Sequence, residues 1–168
     1  GSYTTDMVSI INSLQQRGHQ VVLIPHSIQL DKPPGKMNDL PLVEEICALV
    51  EAPVVAVTSD ESPGVLRELI SRCDLLVASR FHAMISSLGT ATPTLVIGWS
   101  HKYLEVLAQF NQDDVAIDYH DLNVEAVMEK CDHLLANRDQ RSAEIAASLP
   151  SVLASSRSGL ASVFELIS

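Results

Sequence analysis

Short, mainly apolar runs alternate with segments of helical hydrophobic periodicity along most of this chain. The runs have the length of strands and lie at residues 21–24, 54–57, 75–78, 94–97 and 115–117. A continuous apolar run is typical of a strand buried on both faces, and its alternation with helices predicts parallel βαβ units with right-handed crossovers. We therefore predict an α/β fold with a doubly wound, mostly parallel sheet and helices on both of its faces.

The segments between these runs carry helix signals. Thr5 or Asp6 is expected to cap a first helix that ends at Gly18, and Ser62 is expected to cap a later one. The further helices are predicted at residues 41–49, 80–88, about 101–110 and 124–136. A long loop is predicted at residues 26–39, which include Pro33, Pro34 and Gly35.

The end of the sequence differs from this pattern. Residues 138–168 have apolar positions at helical spacing and are interpreted as one or two helices, with Pro150 as a kink or a break. This gives one Rossmann-like domain over residues 3–137 and a helical extension over residues 138–168.

Composition limits the class of partner. Twenty-one acidic and 11 basic side chains give a formal net charge of −10, which argues against nucleic acid or an anionic membrane surface as the main partner. The apolar runs are far too short to span a membrane. Cys47, Cys73 and Cys131 are odd in number and widely spaced, which disfavours a disulfide framework and a zinc site. A cytoplasmic protein is expected.

One long stretch of this acidic chain contains no acid. Residues 75–104 have no Asp or Glu, but they include Arg80, His82, His101 and Lys102. Buried strands exclude acids in any case, which accounts for part of the pattern. It does not explain why the remaining charges follow strand ends and share one sign.

Ligands of open parallel sheets bind outside the carboxyl ends of the strands, where His26, Ser79, Arg80, His82 and Lys102 are predicted to lie. Ser79 is expected to cap a helix and to bring Arg80 and His82 into its first turn, where an anion is favoured. The Arg80 guanidinium matches a carboxylate or phosphate in two-point contact, and His82 can donate to the anion or transfer a proton. A structural arginine paired with an acid and a packed histidine fit the residues equally well. A surface lysine at 102 and a locally bonded His26 also remain open.

Other chemistry-bearing motifs are missing from the sequence. It has no dinucleotide fingerprint, P-loop, nucleophile elbow or His-Glu-x-x-His pattern, so neither a cofactor nor a metal is predicted. The adjacent acids at 60–61 and 113–114 are interpreted as solvated loops.

Residues 73–83, the segment 91–97 and Lys102 together resemble the polysaccharide pyruvyl transferase family. That family's pattern is a strand, Arg-x-His-Ala at a helix start, a small residue before Pro, a second strand and a Lys. The stretches 23–26 and 38–39 also look like family landmarks. The resemblance implies one half of an enzyme similar to two-domain GT-B glycosyltransferases, namely the C-terminal, donor-side domain without its N-terminal partner. It also implies one more strand, ahead of the first helix, in the middle of the sheet.

The resemblance further implies the reaction. The enolpyruvyl unit of phosphoenolpyruvate would pass to sugar hydroxyls of a polysaccharide and form a pyruvate ketal. His82 would be catalytic, and Ser79, Arg80, Lys102 and His26 would bind the substrate. Phosphoenolpyruvate and an acceptor sugar are then the partners, and a homo-oligomer stays open. The alternatives are a GT-B glycosyltransferase domain that uses a nucleotide sugar and a non-catalytic assembly module.

Overall fold

The computed structural model describes residues 3–28, 38–98 and 100–167, with side chains described up to residue 157. Helices and strands alternate along the chain. Their bounds are α1 (Tyr3–Gln16), β1 (Val22–Leu23), α2 (Leu40–Leu49), β2 (Val55–Ala56), α3 (Pro63–Ser71), β3 (Leu76–Ala78), α4 (Phe81–Leu88), β4 (Thr94–Ile97), α5 (His101–Gln109), β5 (Ala116–Ile117), α6 (Val124–Ala136) and α7 (Arg138–Ile167). The predicted loop at 26–39 is described only at its two ends, and its Pro33, Pro34 and Gly35 lie outside the described residues.

The strands form two parallel ladders. One pairs β1 with β2 and places Val22 opposite Val55; the other has the order β3-β4-β5 and places Val96 opposite Ala116. The parallel α/β architecture is thus confirmed. The predicted continuous sheet is divided, because within the described ranges no strand pairs with both ladders. The extra strand implied by the family resemblance would precede α1 and lies outside the described residues.

Local chemistry explains several helix ends. The Ser62 hydroxyl accepts the Val65 N–H and so caps α3, as predicted. Pro63 occupies the first position of this helix. Gly18 ends α1 at a φ of +87°, a conformation that glycine adopts without a steric penalty. The predicted cap of α1 is wrong, because this helix begins at Tyr3 and so contains Thr5 and Asp6.

The core lies around the three-stranded ladder. All four residues of β4 are buried, and Met84 of α4, Val127 of α6 and Ile145 of α7 pack into the same cluster. The strand over 21–24 was expected to be buried on both faces, and this is wrong: Val22 is 37% exposed and its ladder partner Val55 is 66% exposed.

Helix α1 connects the two parts of the molecule, and α7 packs within one of them. α1 packs against both α2 and α6, so it touches elements that follow each ladder. α7 is one helix that contains Pro150 and packs on α4 and α6. No helix among the described residues is long and apolar enough to cross a membrane.

Candidate functional site

The described ends of the loops that follow β1 and β3 come together at the carboxyl edge of the ladders. They bring His26, Ser79, Arg80 and His82 into one neighbourhood, to which Asp39 is added from the far end of the loop after β1. The charges of Asp39, Arg80 and His82 all act on His26. The rule for parallel sheets predicted this edge for the two histidines, Ser79 and Arg80, but it did not predict the arrival of Asp39.

Ser79 does not cap α4, and that prediction is wrong. The N-cap position is taken by Arg80, and no side chain accepts a hydrogen bond there. The Ser79 hydroxyl instead pairs with the Tyr3 hydroxyl of α1, and the Ser79 carbonyl accepts the Tyr103 hydroxyl at 3.0 Å. Ser79 therefore joins the end of β3 to the starts of α1 and α5.

Arg80 forms an ion pair with Asp39. Its Nε lies 3.1 Å from Oδ1 and 3.3 Å from Oδ2, and its Nη2 also contacts Oδ1. Hydrogen bonding to this carboxylate raises the pKa of Arg80 above its usual value, against the opposing effect of partial burial. Asp39, which lies outside the acid-free stretch 75–104, thus partly neutralises the positive charge of Arg80.

Asp39 also orders the loop after β1. Its Oδ2 accepts the backbone N–H groups of His26 and Ser27, both at 3.1 Å, and its side chain is only 15% exposed. A carboxylate with so many donors is held in one orientation. The residues 38–39 were noted in the sequence only as landmarks, so this role was missed.

The two histidines differ in environment. Burial lowers the pKa of His26; its hydrogen bond to the Ile24 carbonyl and the charge of Asp39 oppose the shift, whereas His82 and Arg80 add to it. His82 is exposed in the first turn of α4, with its ring edge-on to Phe81 at 5.9 Å between centroids. An exposed imidazole at this place can exchange protons with a ligand.

Lys102 lies in the first turn of α5, where its N–H donates to the Ser100 hydroxyl at 3.4 Å. Its side chain is exposed and forms no ion pair with the described residues. The neighbouring Tyr103 bonds to Ser79, which fixes the start of α5 at the same edge as Arg80.

The three tyrosines of the chain gather at this edge, which sequence reasoning missed. Tyr3 and Tyr119 have ring centroids 5.9 Å apart, and Tyr103 packs edge-on against Phe81 at 5.6 Å. The available signal for Tyr119 would have been its position two residues beyond the predicted strand end at Ile117.

A sequence model described as "Polysaccharide pyruvyl transferase" matches residues 2–101, more than half of the chain. The chain belongs to the polysaccharide pyruvyl transferase family. The matched stretch includes His26, Asp39, Arg80 and His82, while Lys102 lies one residue beyond it. The expected family membership is thus confirmed.

The chain is also similar to the amylovoran biosynthesis protein AmsJ of Erwinia amylovora. The two are 26% identical over 140 residues, which make up 82% of this chain and 33% of AmsJ. The chain therefore spans about a third of the length of this relative. No solved structure matches the chain.

Arg80, His26 and His82 give the candidate site cationic and hydrogen-bond-donating groups of a kind that suits a small anion. Among the described residues, no group of three His, Cys, Asp or Glu side chains could hold a metal ion. The adjacent acids elsewhere have other partners: Glu61 accepts the Ser59 hydroxyl, and Asp114 forms an ion pair with Arg141. The Asp114 side chain nevertheless stays 54% exposed, which agrees with the predicted solvated position.

Proposed function

We propose that this chain is the donor-binding part of a pyruvyl transferase that moves the enolpyruvyl unit of phosphoenolpyruvate onto sugar hydroxyls of a polysaccharide. The observation that carries the proposal is the cluster of Arg80, His82 and His26 at the carboxyl edge, inside the stretch that matches the family. The similarity to an amylovoran biosynthesis protein supports an exopolysaccharide as the product.

Phosphoenolpyruvate brings a carboxylate and a phosphate to the site. The Arg80 guanidinium suits a two-point contact with one of them, and the exposed ammonium of Lys102 suits the other as a point charge. The first turn of α4 adds the positive end of a helix dipole. Ser79 and His26, which lie near Arg80 at the same edge, are the remaining proposed binding residues.

His82 is the proposed general acid. Protonation of the methylene carbon of the donor by the His82 imidazolium leaves a cationic centre at the adjacent carbon, which one sugar hydroxyl attacks, with loss of its proton to a base. The C–O bond to phosphate then breaks and inorganic phosphate leaves. A second hydroxyl attacks the new cation and releases its proton, which completes the ketal. General acid catalysis of this kind contributes about 10²–10⁴-fold.

The chain would serve as the C-terminal, donor-side half of a GT-B-like enzyme. Its span of a third of AmsJ supports a larger whole, in which a second domain binds the acceptor sugar. Free thiols at Cys47, Cys73 and Cys131 fit a reducing compartment, and we propose that the enzyme acts in the cytoplasm.

Ligand binding to this chain tests the donor. Phosphoenolpyruvate is titrated into labelled protein while the imidazole resonances of His82 and His26 are followed by NMR. We expect both to shift, and the exposed His19 at the opposite end of α1 to stay unchanged. Shifts with uridine diphosphate but not phosphoenolpyruvate would replace the proposal by a nucleotide-sugar glycosyltransferase. No shift with either would favour a non-catalytic assembly module.

Turnover tests the residues. In an enzyme that contains this domain and its acceptor-binding partner, Arg80→Ala and His82→Ala should each lower kcat/KM by about 10²-fold or more. Arg72→Ala is the matched control, since Arg72 is an exposed arginine paired with Glu68 on α3. Unchanged turnover in both site variants would refute the site.

A further inference from the structure

Asp39 lies where the two ladders meet at the carboxyl edge. It stands directly ahead of α2, which follows β1, and its carboxylate reaches Arg80, which follows β3. The two residues are 41 positions apart in the chain. Their contact therefore links one ladder to the other.

The carboxylate of Asp39 uses its two oxygens differently. Oδ2 accepts the N–H groups of His26 and Ser27 at 3.1 Å each and lies 3.3 Å from the Nε of Arg80. Oδ1 accepts from the Nε and Nη2 of Arg80. The backbone of the β1 loop thus orients the carboxylate, and the carboxylate orients one edge of the guanidinium.

We propose that Asp39 is a positioning residue of the donor site, whose carboxylate fixes the direction in which the Arg80 guanidinium meets the donor anion. This inference rests on the proposed function, because it assigns Arg80 to the same anion. In this proposal Asp39 acts through Arg80 and not on the reacting atoms themselves.

A positioning role and a simple charge effect predict opposite results when the Asp39 carboxylate is removed. If only the positive charge of Arg80 mattered, removal of the neighbouring carboxylate would strengthen anion binding. A planar two-point contact depends on direction, however, and misplacement by about 1 Å at an active site costs about 10²-fold in rate. A positioning role therefore predicts weaker use of phosphoenolpyruvate when the carboxylate is lost, although the site becomes more positive.

Asp39→Asn tests the contact with Arg80 separately from the hydrogen bonds to the loop after β1. The amide oxygen of asparagine can still accept the N–H groups of His26 and Ser27, while its NH₂ group then faces the Arg80 guanidinium, with which it cannot pair. Asp74→Asn is the matched control, since Asp74 forms an exposed ion pair with Arg138 away from the site.

The experiment combines kinetics with a spectroscopic readout in the same domain-containing enzyme. For Asp39→Asn we expect kcat/KM for phosphoenolpyruvate to fall by about 10- to 100-fold, with an unchanged KM for the acceptor sugar. We expect the Nε–Hε resonance of Arg80 to be sharp and slowly exchanging in the wild-type protein, because Nε donates to Asp39, and to broaden in Asp39→Asn. Asp74→Asn should behave as wild type in both measurements.

Three outcomes are distinguishable. Wild-type kinetics or a wild-type Arg80 resonance in Asp39→Asn would overturn the positioning role and leave the proposed function intact. A rise in affinity for phosphoenolpyruvate would overturn it in favour of simple charge neutralisation. An unsubstituted enzyme that does not turn over phosphoenolpyruvate at all would refute the proposed function, and the donor role of Asp39 with it.

Discussion

The two ladders differ sharply in how they are covered. In the three-stranded ladder, Leu95 and Val96 of β4 are completely buried, whereas Val22 and Val55 of the two-stranded ladder are 37% and 66% exposed. Both have apolar strand sequences, so hydrophobicity alone does not decide burial. A parallel strand is buried when helices cover both faces of its sheet, and only the three-stranded ladder achieves this within the described residues.

The candidate site draws on both parts. The buried ladder supplies Ser79 and Arg80 at the end of β3, and the exposed ladder supplies His26 and Asp39. The buried ladder thus presents the cation, and the more exposed ladder presents the acid that orients it. We therefore expect the stability of the fold to depend mainly on the three-stranded ladder. The geometry of the site should depend on the contact between the two ladders.

The largest expected effect is a difference in the free energy of unfolding between substitutions in the two ladders. Leu95→Ala removes a side chain from the centre of the core and should lower the free energy of unfolding by about 2–5 kcal/mol. Val55→Ala, in the exposed ladder, should change it by no more than about 0.5 kcal/mol. Urea denaturation followed by circular dichroism measures both. A large loss for Val55→Ala would show that another surface covers this ladder in solution.

The two parts also differ in how deeply their cysteines are buried. Burial raises the pKa of the fully buried Cys131 thiol to about 11, with a further contribution from Asp132 and opposition from Arg17. An unfolded cysteine titrates near 9, so the unfolded chain loses a proton that the folded chain keeps. The protonated Cys131 thiol therefore contributes roughly 2–3 kcal/mol to the free energy of unfolding. This contribution is fully present below pH 9 and is lost as the pH rises towards 11.

Urea denaturation at about pH 8 and about pH 10.5 tests this expectation. Cys131→Ala should show a smaller loss of unfolding free energy at the higher pH than the wild-type protein. Cys47→Ala, at a partly exposed position on α2, should keep the wild-type loss. An equal loss in all three proteins would mean that the Cys131 thiol does not contribute.

A smaller effect comes from a hydroxyl pair in the buried part. Thr94 of β4 donates to the Ser87 hydroxyl of α4, which itself donates to the Met84 carbonyl at 2.8 Å. Ser87→Ala leaves the buried Thr94 donor without its acceptor and should cost about 1–3 kcal/mol. Thr94→Val should cost less, because Ser87 keeps its own acceptor. The reverse order, measured by urea denaturation, would contradict this network; Ser59→Ala, at an exposed hydroxyl, is the control.

The sequence predicted what local patterns determine. The strand Thr94–Ile97 and the helix Val124–Ala136 have the predicted bounds, because apolar runs and helical periodicity are local signals. The exposure of β1 was not predictable, since it depends on which elements cover the strand. The residue types of the site could be chosen from strand ends, but the contact between Asp39 and Arg80 joins distant positions and only the fold reveals it.

The smallest expected effect probes that contact without any ligand. The negative charge of Asp39 raises the pKa of His26, and the positive charge of Arg80 lowers it, beside the larger effect of burial. Asp39→Asn should therefore lower the pKa of His26 further, and Arg80→Ala should raise it. NMR titration of the His26 ring measures both shifts, with the exposed His19 as an internal reference. Opposite signs follow only if both charges lie close to the same imidazole. An unchanged His26 pKa in both variants would mean that neither charge reaches His26 and that the two ladders do not meet at the site.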